Sequence, residues 1–213
     1  MARYSNGIHG PFFGLVGTVV GVNRKGTFYM RSRPVKRTIP PTVRESANRQ
    51  KFADAQFWLQ PLKAFVREGF KGYSAKSEGF VAAKSYLMKH AFEGEDEKRV
   101  INPALVKLSY GDLPLPDHIA VEHLGGERIQ FTWDTKLAPA AAITDQVMMV
   151  AYYNDEDVKN NRAVFVMHGQ LRKNGKDVLE WPGMKGKVHL YIAFISADRD
   201  RRSESRYLGT MEL

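Results

Sequence analysis

The chain of 213 residues has no cysteine, a hydrophobic fraction of 43% and a formal net charge of +9. This composition excludes disulfides, thiolate zinc sites and a thiol nucleophile, and it predicts a packed core rather than wholesale disorder. The charge is uneven, because residues 1–92 hold 16 Lys and Arg against 4 Asp and Glu, whereas the remainder holds 16 against 19. We therefore expect either an anionic partner for the N-terminal part or a basic solvated face with no dedicated partner.

The first predicted element is a β-hairpin in the glycine-rich opening, MARYSNGIHGPFFGLVGTVVGVNRKGTFYM. We expect a strand over Leu15–Val20, a turn over Gly21–Gly26 and a return strand over Thr27–Met30. Glycines within a strand predict that another backbone comes close or that the chain bends sharply. With little chain before it, the hairpin is expected to dock onto its own C-terminal domain or onto a neighbouring subunit.

Other interpretations of this opening fail on spacing. The glycines match neither the phosphate-binding loop nor the dinucleotide-binding fingerprint, since Lys25-Gly26-Thr27 reverses the order that the former requires. The apolar run is too short and too broken for a membrane span, and it lacks the cleavage site of a secretory signal. The sequence therefore predicts a cytoplasmic location by default, with export by an unrecognised route left open.

Residues 32–41 contain three prolines and show neither a helix nor a strand period, which predicts an extended basic arm that could reach roughly 30 Å. Basic side chains accompany two aromatic ones here and could follow a phosphate backbone or an acidic protein groove, although a solvated linker is an equal alternative. The residues expected to bind a partner or an anion are Arg24, Lys25, Arg31, Arg33, Lys36, Arg37, Arg44, Phe28 and Tyr29.

Two helices are expected next. Thr42 and Glu45 have the spacing of a capping box, and an amphipathic helix follows, which Pro61 kinks or divides and a glycine at 69 or 72 ends. A second helix is expected over Ser77–Phe92. The apolar positions that we expect the two helices to bury are Phe52, Ala55, Leu59, Leu62 and Val66 in the first and Phe80, Ala83, Leu87 and Ala91 in the second. The aromatic residues Phe52, Phe57, Trp58, Phe65 and Phe70 are interpreted as core.

The acidic run at residues 93–97 suggests a boundary between a basic N-terminal part, 1–97, and a second domain, 98–213. Short β-type segments then recur between polar turns, which is typical of a β-sandwich. The expected strands lie at residues 129–133, 146–153, 163–167, 188–195 and 206–211. With Trp133 on an early strand and Tyr191 on a late one, this pattern resembles the immunoglobulin or fibronectin type III plan. The predicted fold class is α+β, with an N-terminal glycine-rich hairpin and arm, a short helical region and this sandwich.

The histidines and carboxylates do not form a recognisable catalytic motif. His118 and His123 flank Glu122, but a spacing of five is not the one-turn spacing of a zinc protease, and on a strand they would point to opposite faces. Asp155 and Asp157 lie in an expected hairpin tip, exposed rather than buried. We therefore expect a non-enzymatic protein with no cofactor and no metal.

Several motifs, namely MARYSNGI, GTVVG, YMRS-x-P and R-x-K-F, with AFISAD and YLG near the end, resemble a family of bacterial proteins of unknown function. This resemblance covers essentially the whole chain and implies no activity, ligand or catalytic residue. Residues 40–52 are also similar, more weakly, to segments of phage-like structural proteins. The leading expectation is a structural or assembly protein whose hairpin and arm contact neighbouring subunits or an anionic partner. The alternative is a protein that binds nucleic acid without sequence specificity.

Overall fold

The computed structural model of the chain describes residues 3–5, 7, 10–24, 26–94, 99–155, 160–182 and 186–213. Contacts divide the chain into two compact units, Met1–Thr42 and Val43–Leu213. The division thus falls at the start of the first helix, whereas the sequence suggested a boundary after residue 97. The physical reason is that the helices share a hydrophobic core with strands from the C-terminal half of the chain.

The first unit is a small antiparallel sheet in the order β1-β2-β3-β4. Its strands are β1 (Arg3–Tyr4), β2 (Phe12–Val16), β3 (Val19–Arg24) and β4 (Thr27–Ser32). The expectation of one hairpin is wrong in detail, because a turn at Gly17 and Thr18 divides the strand expected over Leu15–Val20. Gly17 has a φ of 56°, in the left-handed region that β-branched neighbours avoid. The apolar run therefore forms parts of two strands. Gly21, which was expected to begin the turn, lies within β3.

Gly21 is the residue at which this sheet packs most closely. A Cβ atom at Gly21 would lie 2.1 Å from the carbonyl oxygen of Phe12, so no other residue fits there without a shift of the backbone. This observation confirms that a strand glycine in the opening marks a close backbone approach. The following arm has no helix or strand over residues 33–42, as expected, and the Arg33 N–H donates to the Thr18 carbonyl at 2.7 Å.

Three helices begin the second unit: α1 (Val43–Leu59), α2 (Lys63–Gly69) and α3 (Gly79–His90). A single 3-10 turn that contains Pro61 separates α1 from α2, as the sequence predicted. Of the apolar positions expected to face the core, Phe52 is 49% exposed, and Phe57 is also exposed, so these two are not core residues. The other positions of this segment that were expected in the core are fully buried, namely Ala55, Trp58, Leu59, Leu62, Phe65, Val66 and Phe70. Among the described residues, no helix is long and apolar enough to cross a membrane.

Antiparallel strands make up the rest of the second unit. They are β5 (Phe92–Glu93), β6 (Val100–Ile101), β7 (Ile119–His123), β8 (Arg128–Trp133), β9 (Gln146–Tyr153), β10 (Arg162–Val166), β11 (Lys176–Glu180), β12 (Lys187–Ile195) and β13 (Arg206–Glu212). One sheet has the order β10-β9-β12-β13, a second has β11-β8-β7, and β5 pairs with β6. The five expected strands are found, and β5, β6, β7 and β11 are additional strands, of which β11 follows a turn that the sequence did indicate.

The four-stranded sheet is covered on both faces. Along β9, Val147 and Met149 belong to one core cluster with Phe131 of the three-stranded sheet. The alternate residues Met148 and Val150 belong to another cluster, together with the buried faces of the helices. Because successive side chains of a strand point to opposite faces, β9 contributes to both cores. The second unit therefore has three layers: helices, a four-stranded sheet and a three-stranded sheet.

Candidate functional site

The N-terminal sheet is rich in apolar side chains that remain accessible to solvent. Met30 is 69% exposed and Tyr4 is 55% exposed. Among the described residues of 1–42, only Gly21 is buried. The exposed large apolar residues of the sheet are Tyr4, Phe13, Leu15, Val16, Phe28, Tyr29 and Met30. Large exposed apolar patches mark interaction sites on soluble proteins, and here the rings of Phe13 and Phe28 are in contact.

The edge strand β4 is the most accessible element of this sheet. It lies at the end of the strand order, and all six of its residues are exposed. An edge strand offers a row of unpaired N–H and C=O groups to another strand, and natural proteins usually protect such an edge with charges, prolines or bulges. The central residues of β4 are Phe28, Tyr29 and Met30, while Arg31 lies near its end and Pro34 lies beyond it. The middle of the edge is thus open.

The strand register separates the sequence-predicted residues onto two faces. Val20 pairs with Arg31, Val22 with Tyr29, and Arg24 with Thr27. Cross-strand partners share a face of the sheet, and successive residues of a strand point to opposite faces. Arg24, Tyr29 and Arg31 therefore lie on the same face of β3 and β4. Phe28 lies on the other face, where its ring meets Phe13 edge to face at 5.6 Å. The two aromatic residues expected to stack on a ligand therefore point in opposite directions.

The remaining predicted residues are distributed along the chain. Arg33, Lys36 and Arg37 are exposed in the arm. Arg44 is the second residue of α1 and so belongs to the second unit, whereas Lys25 lies outside the described residues. Among the described residues of the first unit, the basic side chains thus lie on the sheet face with Arg24 and Arg31, at Arg3 of β1 and in the arm.

The described residues contain no group of three or more His, Cys, Asp or Glu side chains that could hold a metal ion. His118 precedes β7, and His123 near the other end of that strand contacts the Gly126 carbonyl oxygen through its Nε2 at 2.9 Å. Asp155 is described, whereas Asp157 lies outside the described residues. Within the described residues, His118 and His123 are therefore not part of such a group.

The sequence interpretation missed a basic cleft in the second unit. Its lining comes from residues 71–72, 110–112 and 199–202, and it has a volume of about 290 Å³. The signal that could have indicated it is the charged run Asp198-Arg199-Asp200-Arg201-Arg202, which connects β12 to β13. The other lining segments are distant in sequence, so only the fold brings them together.

No curated protein gives a significant match to this chain. The model of a family of unknown function, DUF6266, matches residues 11–209. This range includes β2, β3 and β4, the arm, the helices and both larger sheets. The resemblance of the sequence motifs to a family of unknown function is thereby confirmed. Because the family model extends over nearly all of the chain, the chain belongs to DUF6266.

Proposed function

We propose that this protein is a non-enzymatic structural or assembly protein whose N-terminal strands and basic arm contact neighbouring subunits. The observation that carries this proposal is the accessible apolar sheet with its open edge strand β4. A small sheet needs a hydrophobic face packed against something to be stable. Gly21 is the only buried residue among those described in this unit, so a partner surface would supply the missing burial.

The partner that fits this surface best is a second copy of the chain. Two β4 strands related by a two-fold axis can pair antiparallel, which joins two sheets through main-chain hydrogen bonds. Each fully buried Phe or Met side chain at such a contact contributes about 1.5–3 kcal/mol. The cost of association and of ordering the arm offsets part of this gain. Phe28, Tyr29 and Met30 are therefore the side chains on which the contact depends.

Light scattering on a sizing column, across a range of protein concentrations, tests this function. We expect the mass to rise above 24.1 kDa, the mass of one chain, as the concentration increases. Met30→Glu should shift this transition to higher concentration, because it introduces a charge at the centre of the contact. Val81→Glu is the matched control, since Val81 is 62% exposed on α3 of the other unit. A full-length protein that stays monomeric at every concentration contradicts the proposal.

A second candidate function is sequence-nonspecific nucleic-acid binding, which is favoured by the common face of Arg24, Tyr29 and Arg31. Together with the arm, this face offers cations for phosphates and one ring for stacking. Contacts to about six phosphates would make the logarithm of the affinity for duplex DNA fall with a slope of roughly −5 against the logarithm of salt concentration. Fluorescence anisotropy with a labelled duplex measures this slope. Arg31→Gln should reduce the magnitude of this slope by about one. A complex whose affinity does not change with salt concentration argues against this function.

We further propose that the two larger sheets follow an immunoglobulin- or fibronectin-III-like plan. Among the strands from β7 onward, the first, second and fifth (β7, β8, β11) form one sheet, and the third, fourth, sixth and seventh (β9, β10, β12, β13) form the other. The immunoglobulin plan likewise separates strands A, B and E from strands C, F and G. Nuclear Overhauser contacts between β8 and β11 would support this plan, whereas pairing of β11 with β10 would contradict it.

A further inference from the structure

The basic cleft of the second unit is assembled from three loops. The first follows α2, the second precedes β7, and the third joins β12 to β13. Its volume of about 290 Å³ is at the small end of ligand pockets, which usually measure roughly 300–1,000 Å³. A ligand of a few heavy atoms, or the charged end of a larger one, fits this space. The exposed ring of Tyr110 forms one wall.

Main-chain contacts hold the walls of the cleft in place. The Tyr110 N–H donates to the Gly69 carbonyl at 3.0 Å, and the Leu113 N–H donates to the Arg202 carbonyl at 2.9 Å. A Cβ atom at Gly111 would lie 2.2 Å from the Arg202 carbonyl oxygen, so this position requires glycine. The three loops are therefore fixed to one another before any ligand enters, which lowers the ordering cost of binding.

Two of the four cations at the cleft are already paired with acids. Arg201 binds Asp112 through two hydrogen bonds, of 3.0 and 3.2 Å. Arg202 pairs with Glu68 at 2.6 Å. These ion pairs position the loops but leave little charge for a ligand. Asp200, which is exposed, is the remaining acidic residue of the lining.

The other two cations keep their charge available. Within the described residues, Lys71 and Arg199 form no ion pair, although the charge of Lys71 acts on Glu68. The guanidinium of Arg199 donates to Nε2 of His168 and, at 3.3 Å, to the side-chain oxygen of Gln146, and both acceptors are uncharged groups. Burial and the charge of Arg199 lower the pKa of His168, which keeps its ring neutral near pH 7. The lining therefore has a net positive charge.

Arg199 and Arg202 also carry features that are costly without a functional reason. Arg199 has a φ of 66°, in the left-handed region that side chains other than glycine seldom adopt. The Nε atom of Arg202 is buried and has no acceptor among the described residues. Backbone strain clusters at active sites and ligand-binding sites, and an unsatisfied buried donor in a native structure is explained by a strained site, a catalytic role or a bound water or ion.

We propose that this cleft binds a small ligand through a phosphate or carboxylate group, with Lys71 and Arg199 as the charged donors. Guanidinium and ammonium groups form short, charge-assisted hydrogen bonds with such oxyanions. The ring of Tyr110 packs against the remainder of the ligand. All of its lining residues belong to the second unit, so the proposal does not rest on the function proposed for the N-terminal sheet.

Titration of the full-length protein with inorganic phosphate, followed by the amide resonances of Gly72 and Gly111, tests this site. We expect saturable shifts of both resonances. Lys71→Ala and Arg199→Ala should each weaken the binding by about tenfold or more, because each removes a charge-assisted hydrogen bond to the ligand. Lys89→Ala, at an exposed residue of α3 outside the cleft, removes the same charge and should leave the affinity unchanged. Should Arg199→Ala fail to fold, the exposed Lys71 still provides the test.

The same titration is then repeated with acetate and with chloride at equal ionic strength. Saturable binding of phosphate alone assigns a phosphate group to the ligand, and equal binding of acetate assigns a carboxylate. Chloride should produce no saturable shift. Equal shifts with all three salts, no shift with any, or an affinity that Lys71→Ala leaves intact would each overturn the proposal.

Discussion

The hydrogen bond between Tyr152 of β9 and the Trp58 carbonyl of α1 tests whether helices and sheets form one folding unit. The Tyr152 hydroxyl donates to this carbonyl at 3.0 Å, and the two rings lie 4.4 Å apart. Both side chains are fully buried. Trp58 lies in the last turn of α1, directly before the 3-10 turn that contains Pro61. Tyr152→Phe removes the donor of this buried hydrogen bond.

We expect Tyr152→Phe to lower the free energy of unfolding by about 0.5–1.5 kcal/mol, the usual net contribution of a hydrogen bond. Burial raises the pKa of Tyr152, so the phenol remains a donor at alkaline pH and the loss should be the same at pH 7 and pH 9. Tyr73→Phe is the control, because Tyr73 is exposed and its change should stay within about 0.5 kcal/mol.

Urea unfolding provides the assay, with circular dichroism reporting the helices and tryptophan fluorescence reporting both cores. Trp58 belongs to the helical core cluster, whereas Trp133 and Trp181 belong to the cluster between the sheets. Because β9 contributes to both clusters, the two signals should change in one transition, and Tyr152→Phe should shift both equally. Two separate transitions, of which only the helical one responds to the substitution, would refute the shared core.

Three further predictions concern charge and the first unit. Asp145→Asn should lower the free energy of unfolding by about 3–5 kcal/mol in urea titrations. In the native chain the Asp145 carboxylate lies 3.2 Å from Nε of the fully buried Arg172, and the substitution leaves this guanidinium without a charged partner. For Glu68, burial opposes ionisation, but the hydrogen bond from Arg202 and the positive charges of Arg202, Lys71 and His168 together outweigh burial and lower the pKa. The contribution of Glu68 to stability is therefore complete above the unfolded pKa, near 4.5, and is lost as the pH falls through the lower folded pKa. In a plot of the urea midpoint against pH, Glu68→Gln should reduce the fall of the midpoint on the acid side. Removal of residues 1–42 should leave the dichroism and cooperative unfolding of residues 43–213 intact while abolishing self-association in light scattering; a chain that no longer folds would show that the first unit is part of the core.

The strands of the second unit were predictable because their signals are local. The expected segment Gln146–Tyr153 is identical to β9, and the capping residues and Pro61 gave the bounds of α1. The helical layer over the sheet was not predicted, although a signal exists. Val147 to Tyr152 is a continuous apolar run, which indicates a strand covered on both faces rather than one face of a two-sheet sandwich.

The N-terminal unit and the cleft were less accessible to local reasoning. Leu15–Val20 has the composition of one strand, and only the backbone of Gly17 reveals the turn within it. At the cleft, Lys71 and Arg199 are separated by more than half of the chain and approach each other through long-range packing. No spacing rule connects two such positions. The exposure of Phe52 has a similar cause: it lies on α1 at a core-like spacing, yet its ring stacks against the Lys84 ammonium at 3.7 Å near the surface.

The effect of salt separates the two proposed functions of the first unit, because its apolar and basic groups act on different rate constants. In self-association, burial of Tyr29 and Met30 governs dissociation, while exposed charges mainly alter the encounter rate. Salt should then change the association rate modestly and leave the dissociation rate nearly constant. In nucleic-acid binding, Arg24 and Arg31 displace counterions, so the equilibrium affinity itself falls steeply with salt. Met30→Glu should raise the dissociation rate in the first case, whereas Arg31→Gln should reduce the salt slope in the second, and these two responses distinguish a subunit contact from a phosphate contact.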